Sequence, residues 1–342
     1  MMKGRRISGG FFLAGVLLSS LLLFPGLGLA QTTGSVTWNG WSFDYAVSGN
    51  NDGLSLKGVK YNGVLLINKI SLPVMRVFYN DNACGPYADR LGGTLSPIPW
   101  AENAIVARRE FTLNGRQWYE IGIRDQIGNY DIYQVYYLSN DGIDGIIDAH
   151  IYSKGLQCVV DHVHYPNWRI DFDIVDFGND LIQLNTGTEY ITKLTEFNSP
   201  ATEAVDHGWR VRDSVIGTFI DVLPGFTDFT IPDGSNQQPV TGYANHTVFG
   251  RLFKSTEDTG WTYGPMTQLP YAPYNNDGEA INNADIVLWY EGYLPHSAIE
   301  GIDLWHSTGL RLVVTVPPPS PSSPWLWPHS NIYEPSIPTN PG

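Results

Sequence analysis

Short turn-forming dipeptides recur along the chain and limit the folds that it can adopt. Examples that join Asn or Asp to Gly are Asn39-Gly40, Asn62-Gly63, Asn114-Gly115, Asp141-Gly142, Asp233-Gly234 and Asp277-Gly278. The runs between them are rich in Val, Ile, Tyr, Phe and Trp, as in Trp118–Arg124 and Ile132–Leu138. Because such dipeptides reverse the chain between β-prone runs, the sequence predicts an all-β fold, a large antiparallel β-sandwich.

Helical periodicity is hard to find in this sequence. Thr188–Phe197 and Glu203–Trp209 could hold a short helical turn at most. The 11 Trp and 19 Tyr fit the core and the sheet faces of a β-sandwich. They also fit a sugar-binding surface, so a secreted carbohydrate-binding module stays open as a function.

The two ends of the chain differ in character from its middle. Residues 1–30 have three cationic residues before an apolar run and end in Gly28–Ala30, the pattern of a signal peptide. The alternative is an uncleaved N-terminal anchor. Residues 31–316 show no linker and are predicted to form one β-sandwich domain, followed by a Pro-rich tail, 317–342. We therefore expect a secreted or periplasmic protein.

The net charge and the cysteines bound the function further. The charge of −14 falls to −17 without residues 1–30, which carry three positive charges and no acidic ones. A chain this acidic, with no basic cluster, is not expected to bind nucleic acid, and it has no predicted membrane span after processing. Cys84 and Cys158 either form one disulfide in an oxidising compartment or stay as two buried thiols.

One short segment carries two pairs of metal-ligand residue types. His162 and His164 project from the same face of a strand, as two ligands of one ion must. Asp171 and Asp173 repeat the spacing with oxygen donors, which suit a harder cation. The alternative is an ordinary histidine pair on a strand. Histidine ligands and a water suit copper(II), and zinc fits equally well.

Two loops after an apolar strand-like run hold the candidate catalytic acids. Val77–Asp81 ends the run, and Tyr87–Gly93 follows a few residues later. Loops at strand ends often carry catalytic groups, although an acid there is commonly only a turn former. Asp81 and Asp89 are therefore candidate catalytic acids, with turn formation as the alternative.

Several segments, in order along the chain, resemble the motifs of the copper amine oxidases. Asn129-Tyr130-Asp131 resembles the Asn-Tyr-Asp/Glu motif, whose tyrosine that family converts into topaquinone. His162-Val163-His164 follows as the copper-binding pair, and Asn283–His296 resembles the segment that ends in the third copper histidine. Upstream, Val77–Asp81 resembles Val-Pro-Tyr-Gly-Asp, and Tyr87-Ala88-Asp89 resembles the segment with the gate aromatic and the catalytic base.

The resemblance implies a role for each matching residue. Copper would be held by His162, His164 and His296, with His306 as the rival third ligand. A second cation, interpreted as calcium, would be held by Asp171, Asp173 and Asp285 and by the carbonyl groups of Phe172 and Ile286. Tyr130 would be the topaquinone precursor, Asp89 the base with Asp81 as alternative, Tyr87 the gate, Tyr79 a hydrogen-bond donor to the quinone, and Asn129 a restraint on its ring.

The function that the resemblance implies is a secreted copper- and topaquinone-dependent primary amine oxidase. It would convert a small primary amine and dioxygen into aldehyde, ammonia and hydrogen peroxide, through a Schiff base on the quinone derived from Tyr130. The chain departs from the family in lacking the usual N-terminal domains and in its short interval between Tyr130 and His162. These departures put the family's dimer-embracing arms in doubt and leave a homodimer open. A non-catalytic copper-binding β-sandwich protein is the alternative.

Overall fold

A computed structural model describes residues 32–316 of the chain, with gaps. The gaps are 49–51, 82–83, 102–103, 141, 143, 201–206, 226–228, 230, 234–236, 238 and 256–275. The predicted signal peptide and Pro-rich tail lie outside the described residues. Within the described ranges, no helix is long and apolar enough to cross a bilayer.

The described residues form 21 strands and one 3₁₀ turn, Pro99–Ala101. In chain order the strands are β1 Thr33–Trp38, β2 Trp41–Ser48, β3 Gly53–Tyr61, β4 Val64–Tyr79, β5 Tyr87–Asp89, β6 Leu95–Ser96, β7 Ala107–Leu113, β8 Arg116–Ile127, β9 Tyr130–Asn140, β10 Gly145–Lys154, β11 His162–Phe172, β12 Asp180–Asn185, β13 Tyr190–Thr192, β14 Phe197–Pro200, β15 Trp209–Asp213, β16 Phe219–Pro224, β17 Val240–Thr241, β18 Thr247–Leu252, β19 Ile286–Glu291, β20 Leu294–His296 and β21 Trp305–Thr315.

These strands build two large sheets that pack face to face, which confirms the predicted antiparallel β-sandwich. The first sheet has the order β1-β2-β3-β4-β11-β19-β18-β14, with β5 beside β4 and β20 beside β11. The second has the order β13-β12-β15-β16-β21-β10-β9-β8-β6, with β7 beside β8 and the short parallel strand β17 beside β21. The main apolar core lies between the two sheets and draws on both.

Three predicted Asn-Gly turns are two-residue hairpins. Asn39-Gly40 joins β1 to β2, Asn62-Gly63 joins β3 to β4, and Asn114-Gly115 joins β7 to β8. All six residues have positive φ, the conformation that Asn and Gly adopt most readily. A further hairpin, through Gly128-Asn129, pairs Ile127 with Tyr130 and places Tyr130 at the start of β9.

Other local predictions fare differently. The helical turn considered for Thr188–Phe197 is wrong, since Tyr190–Thr192 is a strand that pairs with β12. Its residues are aromatic or β-branched, which favours a pleated surface over a helix. Asp277-Gly278 lies in an irregular connection. Asp141 and Gly234, and most of Glu203–Trp209, lie outside the described residues.

The tryptophans support the sandwich more than a sugar-binding surface. Five of them are among the largest fully buried side chains: Trp41, Trp168, Trp209, Trp289 and Trp305. A buried ring cannot stack on a sugar, so these residues contribute to the core.

Candidate metal centre

Strand β11 organises the site because it runs through the middle of the first sheet. Its first residue, His162, lies opposite His296 of β20, and its last, Phe172, lies opposite Ile286 of β19. One antiparallel pairing therefore brings the downstream segment beside both candidate metal sites. Trp168, Ile170 and Phe172 belong to the core between the sheets, and His162 and His164 share their face because side chains alternate.

Three imidazole rings meet on this inner face. The ring centroids of His162, His164 and His296 are 4.8 to 5.1 Å apart. One ring nitrogen from each lies within 4.8 Å of the others. All three residues are at most 3% exposed. These separations allow one ion to be shared by the three rings.

The hydrogen bonds leave nitrogen lone pairs facing the centre. His162 Nδ1 donates to the Val160 carbonyl oxygen at 2.7 Å, and His296 Nδ1 donates to Glu300 Oε1 at 2.6 Å. The opposite nitrogen, Nε2, then carries the lone pair in each ring. Both nitrogens of His164, and Nε2 of His296, are buried with no hydrogen-bond partner among the described residues.

Such unpaired buried nitrogens are costly unless a ligand meets them. Burial lowers the pKa of His162 and His164, which keeps the rings neutral, as metal coordination requires. The residues therefore fit a transition-metal ion, and the imidazole donors suit copper or zinc.

Tyr130 reaches the same centre from the opposite sheet. Its hydroxyl donates to His162 Nε2 at 2.7 Å, and the Gln157 backbone N–H donates to that hydroxyl at 3.1 Å. The Tyr130 ring centroid is 4.7 Å from that of His164 and 5.6 Å from that of His296. The ring is 3% exposed. A metal ion would take the lone pair that now accepts the Tyr130 proton.

Three predicted partners of Tyr130 line up beside it. Tyr79 stacks on His162 with ring centroids 4.6 Å apart, and its hydroxyl interacts with that of Tyr130. Tyr87 meets Tyr79 edge-on at 5.9 Å and is 41% exposed. Asp89, at the end of β5, is half-buried, and burial raises its pKa to about 6. The order from solvent inward is thus Tyr87, then Tyr79, then Tyr130.

Two other predicted residues lie further out. Asp81 is exposed, which makes it a weaker base candidate than Asp89, because exposure leaves a carboxyl group solvated. The Asn129 side chain is exposed in the hairpin turn. The Asn129 carbonyl packs against Gly155, where an added Cβ would meet that oxygen at 2.2 Å. Gly155, with φ +124, thus permits the β9 start to sit close to the loop that follows β10.

Cys84 and Cys158 form a disulfide, with Cα atoms 6.2 Å apart. Cys84 lies in the loop that connects Tyr79 to Tyr87, and Cys158 follows Gln157. The bond therefore ties the predicted gate loop to the segment that holds the Tyr130 hydroxyl.

The predicted oxygen ligands lie on the other face of β11. Asp171 Oδ2 accepts from Asn68 Nδ2 at 3.2 Å and lies 3.5 Å from Arg169 Nη1. Both oxygens of Asp173 are buried without a hydrogen-bond partner among the described residues. Burial, and then repulsion by Asp171 and Asp285, raises the pKa of Asp173 to about 7.

Asp171, Asp173 and Asp285 are not among the clusters of possible metal ligands in the described part of the chain, so the second cation stays a prediction. Phe172 and Ile286 pair across β11 and β19, and Asp285 is the next residue along the chain. Arg169 supplies one positive charge to Asp171 and Asp285, but Asp173 remains uncompensated. A buried carboxylate without a partner favours either a proton or a metal ion.

Glu300 and Gln157, which the sequence reasoning left without a role, complete the inner site. Glu300 holds His296 Nδ1 through one oxygen, and its other oxygen is 3.1 Å from His306 Nε2. His306 lies with its ring centroid 4.0 Å from that of His296. The spacing of four residues between His296 and Glu300 was the available signal. Gln157 donates its backbone N–H to the Tyr130 hydroxyl, and because any residue except proline could do so, the sequence gives no signal for this contact.

Fold and site together define a β-sandwich protein with a buried centre of three histidines and one tyrosine. No family model matches the chain, and no curated protein matches it in sequence. Solved structures do match it in fold.

Three of the matching structures are amine or lysyl oxidases. The copper-containing benzylamine oxidase from Hansenula polymorpha has a TM-score of 0.57 and 13% identity, over 90% of this chain and 65% of that one. Aspergillus nidulans amine oxidase has a TM-score of 0.56 and 16% identity, over 89% and 55%. Pichia pastoris lysyl oxidase has 0.53 and 15%, over 82% and 51%. At these identities the likeness establishes an amine-oxidase-like fold, and the chain spans only part of each relative.

Proposed function

We propose that the protein is a secreted primary amine oxidase that uses copper and a topaquinone made from Tyr130. The observation that carries this proposal is the 2.7 Å contact between the Tyr130 hydroxyl and His162 Nε2, inside a buried cluster of three histidines. A core tyrosine has no structural need for three imidazoles around it, three of whose nitrogens lack a partner among the described residues. The amine-oxidase-like fold supports the same reading.

The chain's own residues divide the work. His162, His164 and His296 would hold copper through neutral nitrogens, with Val160 and Glu300 fixing two of the rings. Copper and the quinone, when bound, supply the oxidation of the amine by dioxygen. Gln157 and Tyr79 orient the oxygen of residue 130 by hydrogen bonds.

Asp89 is the proposed base that removes a proton from the substrate carbon. Its pKa of about 6 leaves it ionised at neutral pH and still a competent proton acceptor. Tyr87, exposed at the outer end of the aromatic row, would control access and exclude water from the base. The substrate class that fits is a small primary amine, because a cation is drawn to an acidic protein and to an ionised carboxylate.

Secretion forms part of the proposal. The disulfide between Cys84 and Cys158 is typical of an oxidising compartment, and it agrees with the signal-peptide pattern of residues 1–30.

A carbonyl reagent tests the proposal directly. Metal-free protein is loaded with copper in air and then treated with phenylhydrazine, while the visible spectrum is recorded. A coloured adduct that Tyr130→Phe does not form supports the enzyme. Protein that binds one copper per chain, yet gives neither adduct nor hydrogen peroxide with any primary amine, is instead a metal carrier.

A further inference from the structure

The three-histidine cluster is buried, so a metal ion needs a route to it. A cavity of about 500 Å³ reaches the cluster from the side of β20 and β21. Its rim carries the exposed residues Asn80, Asp161 and Ser297, and its wall includes the buried rings of His162, His296 and His306. His164, fully buried, is not among the described residues that line it. The cavity thus leads from solvent to two of the three histidines.

Two further metal-binding groups stand in the wall of the same cavity. Glu300 and His306 offer a carboxylate oxygen and an imidazole nitrogen that lie 3.1 Å apart. His306 is 2% exposed, and neither of its ring nitrogens makes a well-aligned hydrogen bond within the described part of the chain. The core site does not use this ring, so its buried Nδ1, which has no partner among the described residues, needs another explanation.

The two sets of ligands meet at one ring. Ligand atoms of His296, Glu300 and His306 lie within 4.8 Å of one another, as do those of His162, His164 and His296. An ion held by Glu300 and His306 can therefore bind His296 before it dissociates from Glu300 and His306. Stepwise exchange of ligands avoids carrying a bare ion through an apolar interior.

We propose that Glu300 and His306 form a copper-loading station, which captures the ion in the cavity and passes it through His296 to His162 and His164. The acidic rim at Asp161 and the negative net charge of −14 favour the arrival of a cation. The station is a passage and holds no ion in the loaded protein. This inference rests on the copper site proposed above.

The test measures how fast copper enters and leaves, with oxygen excluded so that no quinone forms. Metal-free protein is mixed with Cu(II) buffered by glycine, and uptake is followed by stopped-flow absorbance; release is followed with a strong chelator. A group that binds the ion only in transit accelerates copper uptake and copper release by the same factor. We expect His306→Ala to slow uptake and release alike, by about tenfold, with the ratio of the two rates kept.

Control variants separate the passage from other roles. His306→Gln keeps the volume of the side chain and a polar atom, and it replaces the alanine variant if that variant does not fold. We expect it to slow both uptake and release as well. His207→Ala, at an exposed histidine outside the cavity, should load like the wild type.

Several outcomes would overturn the loading route. Unchanged copper uptake in both His306 variants would rule out the loading route. Faster release with unchanged uptake would show that His306 is a ligand of the final copper site. A second copper retained per wild-type chain makes the station a permanent site. A wild-type protein that binds no copper would contradict the proposed function itself. Variants that take up copper at the wild-type rate would contradict only the loading route.

Discussion

The two faces of β11 hold metal-ligand residues of opposite character. The inner face presents His162 and His164, which are neutral, and their lone pairs carry no net charge into the core. The outer face presents Asp171 and Asp173, whose charges repel one another and Asp285. Both sets are buried to a similar degree, so the difference lies in chemistry and not in access to water.

This difference separates reactivity from stability. Without a metal, a neutral imidazole cluster leaves only unpaired lone pairs in the core, whereas a buried carboxylate cluster retains unbalanced charge. We therefore expect copper to govern the chemistry at Tyr130, and a hard cation on the outer face to govern the free energy of unfolding.

The largest expected effect comes from removing the hydroxyl oxygen of Tyr130, which faces the histidine cluster. Tyr130→Phe should abolish quinone formation and amine oxidation completely, because the ring no longer carries the hydroxyl group that activates it for oxidation and whose oxygen is retained in the quinone. Copper affinity should stay within about threefold of wild type, since no ligand nitrogen changes. Quinone absorbance and copper titration measure the two effects. Loss of copper together with the quinone would instead make the Tyr130 oxygen a metal ligand.

Asp89→Asn should lower kcat/KM by about 10²- to 10⁴-fold while leaving quinone formation intact. The wild-type pH profile provides a second check. The base must be ionised, and burial raises the pKa of Asp89 to about 6, so kcat/KM should fall as the pH drops through about 6. Asp81→Asn is the matched control and should keep the wild-type profile. Normal turnover by the Asp89 variant would move the base to Asp81 or another acid.

Glu300→Ala should weaken equilibrium copper binding by about 10- to 100-fold. The carboxylate holds His296 Nδ1 at 2.6 Å and so keeps Nε2 pointed at the metal. Glu300→Gln retains an acceptor oxygen and should lose less affinity. Competition with a chelator of known strength measures both variants. Equal loss in the two would mean that the charge, and not the hydrogen bond, sets the affinity.

The smallest expected effect concerns the outer face. Calcium at about ten times its Kd should stabilise the wild-type protein by about 1.4 kcal/mol and raise Tm, because it meets the unpaired oxygens of Asp173. Asp173→Asn removes the charge and should make Tm insensitive to calcium. Calorimetry with and without calcium measures the effect. A Tm that responds to calcium equally in both proteins would place the cation elsewhere.

Local patterns predicted the parts of the fold that depend on a few neighbouring residues. The Asn-Gly dipeptides predicted three hairpins because their left-handed conformations are intrinsic to those residues. Alternation along β11 also sets the two faces, since His162 and Asp171 are nine residues apart and an odd separation reverses the face.

Local patterns left several contacts between distant segments open. Cys84 and Cys158 are separated by 74 residues, so their pairing depends on how two loops meet. His306 was considered only as a rival ligand, because its position beside Glu300 arises from the packing of β21 against β20. The Tyr190–Thr192 strand was missed since its pairing with β12 outweighs weak local preferences.

The measurement that tests the central claim most directly is a peptide mass map of the protein after copper loading in air. The account predicts that the peptide with Tyr130 gains two oxygen atoms and loses two hydrogen atoms, and that protein kept free of copper or oxygen shows no change. An unmodified Tyr130 in protein that holds one copper at its three histidines would contradict it.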